Sequence, residues 1–226
     1  MFQKNLKKYS LLIILVAILG LTLGSFPVTA FAKPAMQVMI PMRDGARLSA
    51  DVYLPDPAVW GNGPYPAIIS RTPYGISDGI VVKGQLITCD DIAAHGYAAI
   101  FQHTRGRYSS EGIDNAFLND IEDGYDTVEW AAAQSWCNGK VGTTGGSASG
   151  ITSEMAAADN PPHLKAVFAE VSGGSNLFNN FIFEGGATEL ETTLMWLEME
   201  AITLAGSSVP QGMSLSMMQY LMSQGL

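Results

Sequence analysis

Positive charge is scarce in this sequence. Its 226 residues hold 12 Lys and Arg against 21 Asp and Glu, a formal net charge of −9 at pH 7. That balance excludes attraction to nucleic acid or to an anionic membrane through bulk charge. Cysteine is nearly absent, with only Cys89 and Cys137. Two cysteines rule out a disulfide scaffold; they leave open one bridge, chemically allowed in an exported chain, or two buried thiols. There is no internal repeat and no low-complexity linker.

The chain also lacks a long hydrophobic run. Leu11 to Leu23 is almost wholly apolar, but at about 13 residues it falls short of the roughly 20 a spanning helix needs. Lys4, Lys7 and Lys8 precede it, and the small-x-small triplet Ala30-Phe31-Ala32 follows. This order predicts a secretory signal peptide over residues 1–32, cleaved after Ala32, and hence a secreted or periplasmic protein. The alternative is an uncleaved anchor helix. No cysteine lies near the cleavage site, which argues against a lipoprotein. Removing 32 residues from 226 leaves 194, carrying 21 acidic and 9 basic side chains, because the leader holds three lysines and no acid. That length suffices for one domain with a sizeable core.

Past the leader, Met36–Ile40 and Arg47–Leu54 read as a hairpin turning at Asp44-Gly45. Residues 55–66 are turn-rich. The continuous apolar runs Ala67–Ser70, Tyr97–Gln102 and Leu164–Ala169 read as strands buried on both faces. Gln85–Ala94 and Leu118–Gln134 are expected helices, the second with Asp120, Glu122 and Asp123 at the positive end of its dipole. Lys140–Thr144 is an expected short strand and Thr152–Ala158 lies in an expected helix. Strand and helix thus alternate from about residue 66 to 170, the pattern of a mostly parallel sheet covered by helices with an antiparallel edge hairpin. After Gly186, the methionine-rich segments Leu190–Ala205 and Met213–Met222 read as helices with no strand between them.

In a parallel sheet, ligands bind at the carboxyl ends of the strands. The loop Gly145-Gly146-Ser147-Ala148-Ser149-Gly150 joins an expected strand to an expected helix, the setting of a nucleophile elbow, although the fifth place of G-x-S-x-G holds Ser149 and the glycine comes one later. Arg71-Thr72-Pro73-Tyr74 follows the strand before the first helix. Tyr74 there is either an oxyanion donor, with the backbone N–H of Ala148 as second donor, or a half-buried aromatic. In a third loop, His103-Thr104-Arg105-Gly106-Arg107, Arg105 is expected to pair with a nearby acid. No metal or cofactor is expected.

The stretches IPMRDGARLSADVYLP, RTPYG, HGYAAIFQHTRGRYSSEG, DIEDGYDTVEWAAAQSWCNGKVGTTGGSASG and PPHLKAV, in that order, make the chain resemble the amino-terminal part of the cocaine-esterase and Xaa-Pro dipeptidyl-peptidase family of serine hydrolases. The resemblance implies an α/β-hydrolase fold over 33–186 followed by the start of a helical cap over 187–226. It also implies Ser147 as nucleophile, with Tyr74 and Ala148 as the oxyanion hole. Family members usually carry tyrosine where Ala148 stands and aspartate where His103 stands. The second change leaves the partner of Arg105 open.

In this fold the triad runs Ser, then Asp or Glu, then His along the chain. After Ser147 only His163 remains, and it is expected at the opposite end of the sheet. The acid and base are therefore expected beyond Leu226, the chain being roughly a third of a full-length member. Glu170 and Glu184 are candidates for holding a substrate ammonium, or are solvated carboxylates. The expected activity is cleavage of a small-molecule ester, amide or short peptide through an acyl-enzyme. The alternatives are a non-catalytic exported binding module or pseudoenzyme and, with the leader retained, a membrane-tethered interaction module.

Overall fold

The computed structural model of the protein describes residues 35–74, 79–82, 85–115, 117–173, 185, 187–190, 193–194 and 196–197. The leader, Glu184 and most of the expected cap helices lie outside them; residues 190, 193, 194, 196 and 197 are helical.

The chain opens with β1 (Met36–Pro41) and β2 (Arg47–Tyr53), paired antiparallel about the Asp44-Gly45 turn. A single helical turn, α1 (Pro57–Trp60), starts on an Asp56 cap whose carboxylate accepts the Ala58 N–H at 2.8 Å. Then come β3 (Tyr65–Thr72), the pair β4 (Gly79–Val82) and β5 (Gln85–Thr88), α2 (Cys89–Ala94) and β6 (Ala98–His103). The run ends with α3 (Asp120–Ala132), β7 (Cys137–Gly146), α4 (Ala148–Ala158) and β8 (Leu164–Glu170).

The main sheet has the order β1-β2-β6-β3-β7-β8, with β6, β3, β7 and β8 mutually parallel and the β1–β2 hairpin antiparallel at one edge. From β3 the chain moves outward to β6 and then returns to the other side for β7. Strand order reverses around β3, which makes the loops after β3 and β7 the rims of a switch-point crevice, where open parallel sheets bind their ligands.

Alternation along the strands sorts the core into two layers. Ala98 and Ile100 of β6 join Ala67, Ile69, Val128, Ala131 and Val141 on the face covered by α3. Ala99 and Phe101 turn the other way and meet Cys89, Ile92 and Ala93 of α2. Cys137 belongs to the first layer and Cys89 to the second, so the sheet lies between them and no disulfide joins them. Burial pushes the Cys137 thiol pKa upward. Of the two cysteine alternatives, two buried thiols is the one present.

Three expectations need correction. Gln85–Thr88 is not helical: it pairs with β4, and the helix begins only at Cys89, where Thr88 and Asp91 form a reciprocal capping box. A capping box fixes a helix start, and the four residues before it are left free to pair as a strand. β7 runs ten residues rather than five, pairing with β3 on one side and with β8 on the other. Leu164–Ala169 is not buried on both faces: among the described residues β8 is an edge strand, with Val167 39% and Phe168 45% exposed. Phe168 borders a trough of about 460 Å³ together with Ile68, Ile87, Ile92, Tyr97 and Thr144.

A buried polar network ties the layers to the loops. Arg71, 2% exposed, forms an ion pair with Asp120 at 2.7 Å and donates through Nε to Gln102 at 2.7 Å. Arg105 reaches Asp123 at 2.6 Å and Asp44 at 2.7 Å, and its guanidinium pKa is pushed up by the hydrogen bond to Asp123. The Arg105 pairing expected from sequence is thus present, with acids drawn from the hairpin turn and from α3 rather than from position 103.

Candidate active site

Ser147 links β7 to α4 with φ 57° and ψ −129°, in a region costly for any side-chain-bearing residue. The elbow is locked from three sides. The Ser147 amide donates to the Glu170 carbonyl of β8 at 2.9 Å. A Cβ on Gly145 would lie 2.4 Å from the Ser149 Cβ, and one on Gly150 would lie 2.5 Å from the Glu170 carbonyl oxygen. The glycine one place late in the motif is therefore required where it stands, because there β8 passes against the first turn of α4. Ser149 occupies the slot beside Gly145 and its carbonyl accepts the Ser153 hydroxyl at 2.7 Å. The outcome is an exposed Ser147 ahead of a buried helix turn.

Ala148 is the first residue of α4, so its N–H has no carbonyl within the helix to donate to. It is 1% exposed and belongs to a cluster with Phe117 and Ile151, against which Tyr74, Met155 and Trp196 pack. The cluster thus brings Tyr74 and Ala148, two residues 74 positions apart, to one place. The Tyr74 amide donates to Thr72 Oγ1 at 3.1 Å, which bends the loop after β3 back on itself. Among the described residues the Tyr74 hydroxyl is buried with no partner. An unpaired buried hydroxyl costs about 1–3 kcal/mol.

The histidines are dispersed. His163 immediately precedes β8 at the amino end of the sheet, where its Nδ1 lies 2.7 Å from Glu129 Oε2, as expected. His95 closes α2, its Nδ1 2.6 Å from the Asp91 carbonyl oxygen. His103 ends β6 on the carboxyl side, its ring 4.6 Å from that of Tyr108 and edge-on to Phe101. Glu170 lies at the carboxyl end of β8 and contributes its backbone carbonyl to the elbow. Among the described residues no group of three or more His, Cys, Asp or Glu is arranged to hold a metal ion. No described helix is long and apolar enough to cross a membrane.

Sequence reasoning missed the aromatic wall beside the serine. Phe117, at φ 69°, stacks on Trp196 with ring centroids 5.4 Å apart. Its left-handed backbone has no signature in the sequence, since phenylalanine rarely adopts it.

The strand order, the switch-point crevice and the strained strand–serine–helix turn define the amino-terminal portion of an α/β-hydrolase. The chain belongs to the X-Pro dipeptidyl-peptidase (S15) family, whose model matches residues 44–220. It is 36% identical over 162 residues to the cocaine esterase of Rhodococcus sp. (strain MB1 Bresler), covering 72% of this chain and 28% of that protein. An alpha-amino acid ester hydrolase of known structure is 31% identical, with a TM-score of 0.51 over 65% of this chain and 27% of that one. A CocE/NonD family hydrolase from Staphylococcus aureus is 27% identical, with a TM-score of 0.50 over 58% of this chain and 26% of that one. The chain therefore spans little more than a quarter of the length of these relatives.

Proposed function

We propose that this chain is the nucleophile-bearing part of an exported serine hydrolase that cleaves esters or amides of small molecules or short peptides. Ser147 Oγ attacks the carbonyl carbon, and the negative charge gathering on the carbonyl oxygen is met by the Tyr74 hydroxyl and the Ala148 N–H. The alcohol or amine leaves with a proton, an acyl-Ser147 ester forms, and water then releases the acid. The observation that carries this reading is the Tyr74 hydroxyl, buried and without a partner among the described residues, on a ring packed in one cluster with Ala148 next to the exposed, strained Ser147.

The base that takes the Ser147 proton, and the acid that orients it, are proposed to lie outside residues 1–226. A serine hydroxyl needs such a base to react quickly at neutral pH. The oxyanion hole alone still supports a residual rate about a thousandfold above water. Export rests on the leader over residues 1–32 and its Ala30-Phe31-Ala32 site.

The test is to incubate the protein with an activated aryl ester, quench in acid and weigh the peptide that contains residue 147. An acyl increment on the wild-type peptide that is missing from Ser147→Ala supports the reading, and no increment in either, or the same increment in both, contradicts it.

A second reading, a non-catalytic exported binding protein that retains the crevice, is favoured by one observation. His95 and His163 both sit at the amino end of the sheet, away from Ser147. On that reading a substrate-like ester binds without any transfer to Ser147.

A further inference from the structure

We propose that Thr152 is a positioning residue, which sets the distance between the Ser147 nucleophile and the Tyr74 oxyanion donor by tying the nucleophile helix to the strand that carries Tyr74. The inference rests on the hydrolase reading above. Thr152 is fully buried, one turn into α4, and its hydroxyl donates to the Arg71 carbonyl at 2.8 Å. Arg71 lies on β3, three residues before Tyr74, and the Tyr74 amide in turn donates to Thr72. One hydroxyl therefore joins the two elements that must face each other across the reacting carbonyl.

No described strand ladder makes this link. β3 and α4 are not backbone-paired, and β7, which leads into Ser147, pairs with β3 only as far as Ile69↔Thr143. Beyond that point no ladder joins β3 to β7 among the described residues. Thr152 bridges there from below, next to the Thr143 hydroxyl bond to the Ser153 carbonyl at 3.1 Å. Arg71 cannot yield instead, since its guanidinium is held by Asp120 at 2.7 Å and by Gln102. The Thr152 hydroxyl also reaches the Ser149 carbonyl at 3.1 Å within its own helix. A hydroxyl shared between a helix carbonyl and a strand carbonyl fixes both the height and the rotation of the first turn, where Ala148 lies.

The experiment compares the second-order rate of fluorophosphonate labelling of Ser147 in the exported protein with that of Thr152→Val, Thr152→Ser, Tyr74→Phe and Tyr74→Phe/Thr152→Val. Thr152→Val keeps the shape and removes the donor, and misplacement of reacting groups of this kind slows reaction by about tenfold or more. Thr152→Ser restores the rate. In the Tyr74→Phe background Thr152→Val adds little, because both changes remove the same contact to the developing charge. Equal labelling of wild type and Thr152→Val overturns the proposal, as does full additivity with Tyr74→Phe, which is the outcome for a merely structural threonine. Labelling of neither wild type nor Ser147→Ala overturns the nucleophile reading itself, and the positioning role with it.

Discussion

At the scale of single residues, the site is built from groups held where they cost free energy. Ser147 is held in a left-handed backbone and Tyr74 keeps a buried hydroxyl unpaired. If Tyr74 is the oxyanion donor proposed above, Tyr74→Phe should lower the rate of Ser147 acylation about 100-fold or more, with stability unchanged or raised because the orphan hydroxyl is gone. Acylation rates and denaturant midpoints, measured together, check both halves. Arg71 contributes differently. Its charge is buried against Asp120, whose own pKa burial raises despite the opposing pull of Arg71. Arg71→Met leaves Asp120 without its cation, and breaking a buried pair costs about 3–5 kcal/mol, read as a fall in urea midpoint.

The placing of Ser147 just after β7 and of Tyr74 just after β3 was legible in the alternation of strands and helices, while their roles were what the family resemblance implied. The partners of Arg105 were not, since Asp44 lies 61 residues away and only the folded hairpin turn brings it near. Phe117 was illegible for a different reason: its place beside Ala148 depends on a backbone conformation that phenylalanine does not advertise.

At the scale of elements, boundaries follow caps and close approaches more than hydrophobic runs. Residues 85–94 looked like one helix because apolar residues continue through them, but the Thr88–Asp91 capping box begins the helix at Cys89. The Asp91 carboxyl is held below its ordinary value of 3.8, first by the Thr88 hydroxyl and then by the Thr88 amide. A depressed acid stabilises the fold above its unfolded pKa, and that contribution disappears as pH falls through the folded pKa. Asp91→Asn should therefore shrink the loss of stability below pH 3.8, measured by urea unfolding across acid pH. Gly150 governs the contact between α4 and β8. Gly150→Ala places a methyl 2.5 Å from the Glu170 carbonyl oxygen, so it should cost about 1–3 kcal/mol and slow acylation of Ser147 as the elbow lifts from β8.

At the scale of the whole molecule, the alternation of strands and helices was enough to anticipate a mostly parallel sheet with an antiparallel edge hairpin. The inserted β4–β5 pair and the exposure of β8 were not anticipated, because short apolar runs look alike whether they are central, edge or separately paired. The export proposed above rests on the leader expected over residues 1–32 and has its own test. Mass spectrometry of the exported product should show a chain starting at Lys33; retention of residues 1–32 would contradict a cleaved leader.

The most direct test is fluorophosphonate labelling of the native protein, with the modified residue mapped by peptide mass. The account predicts one adduct, on Ser147, lost in Ser147→Ala and slowed in Tyr74→Phe. A folded protein that takes up no label, or takes it up at another serine at the same rate in both variants, would contradict it.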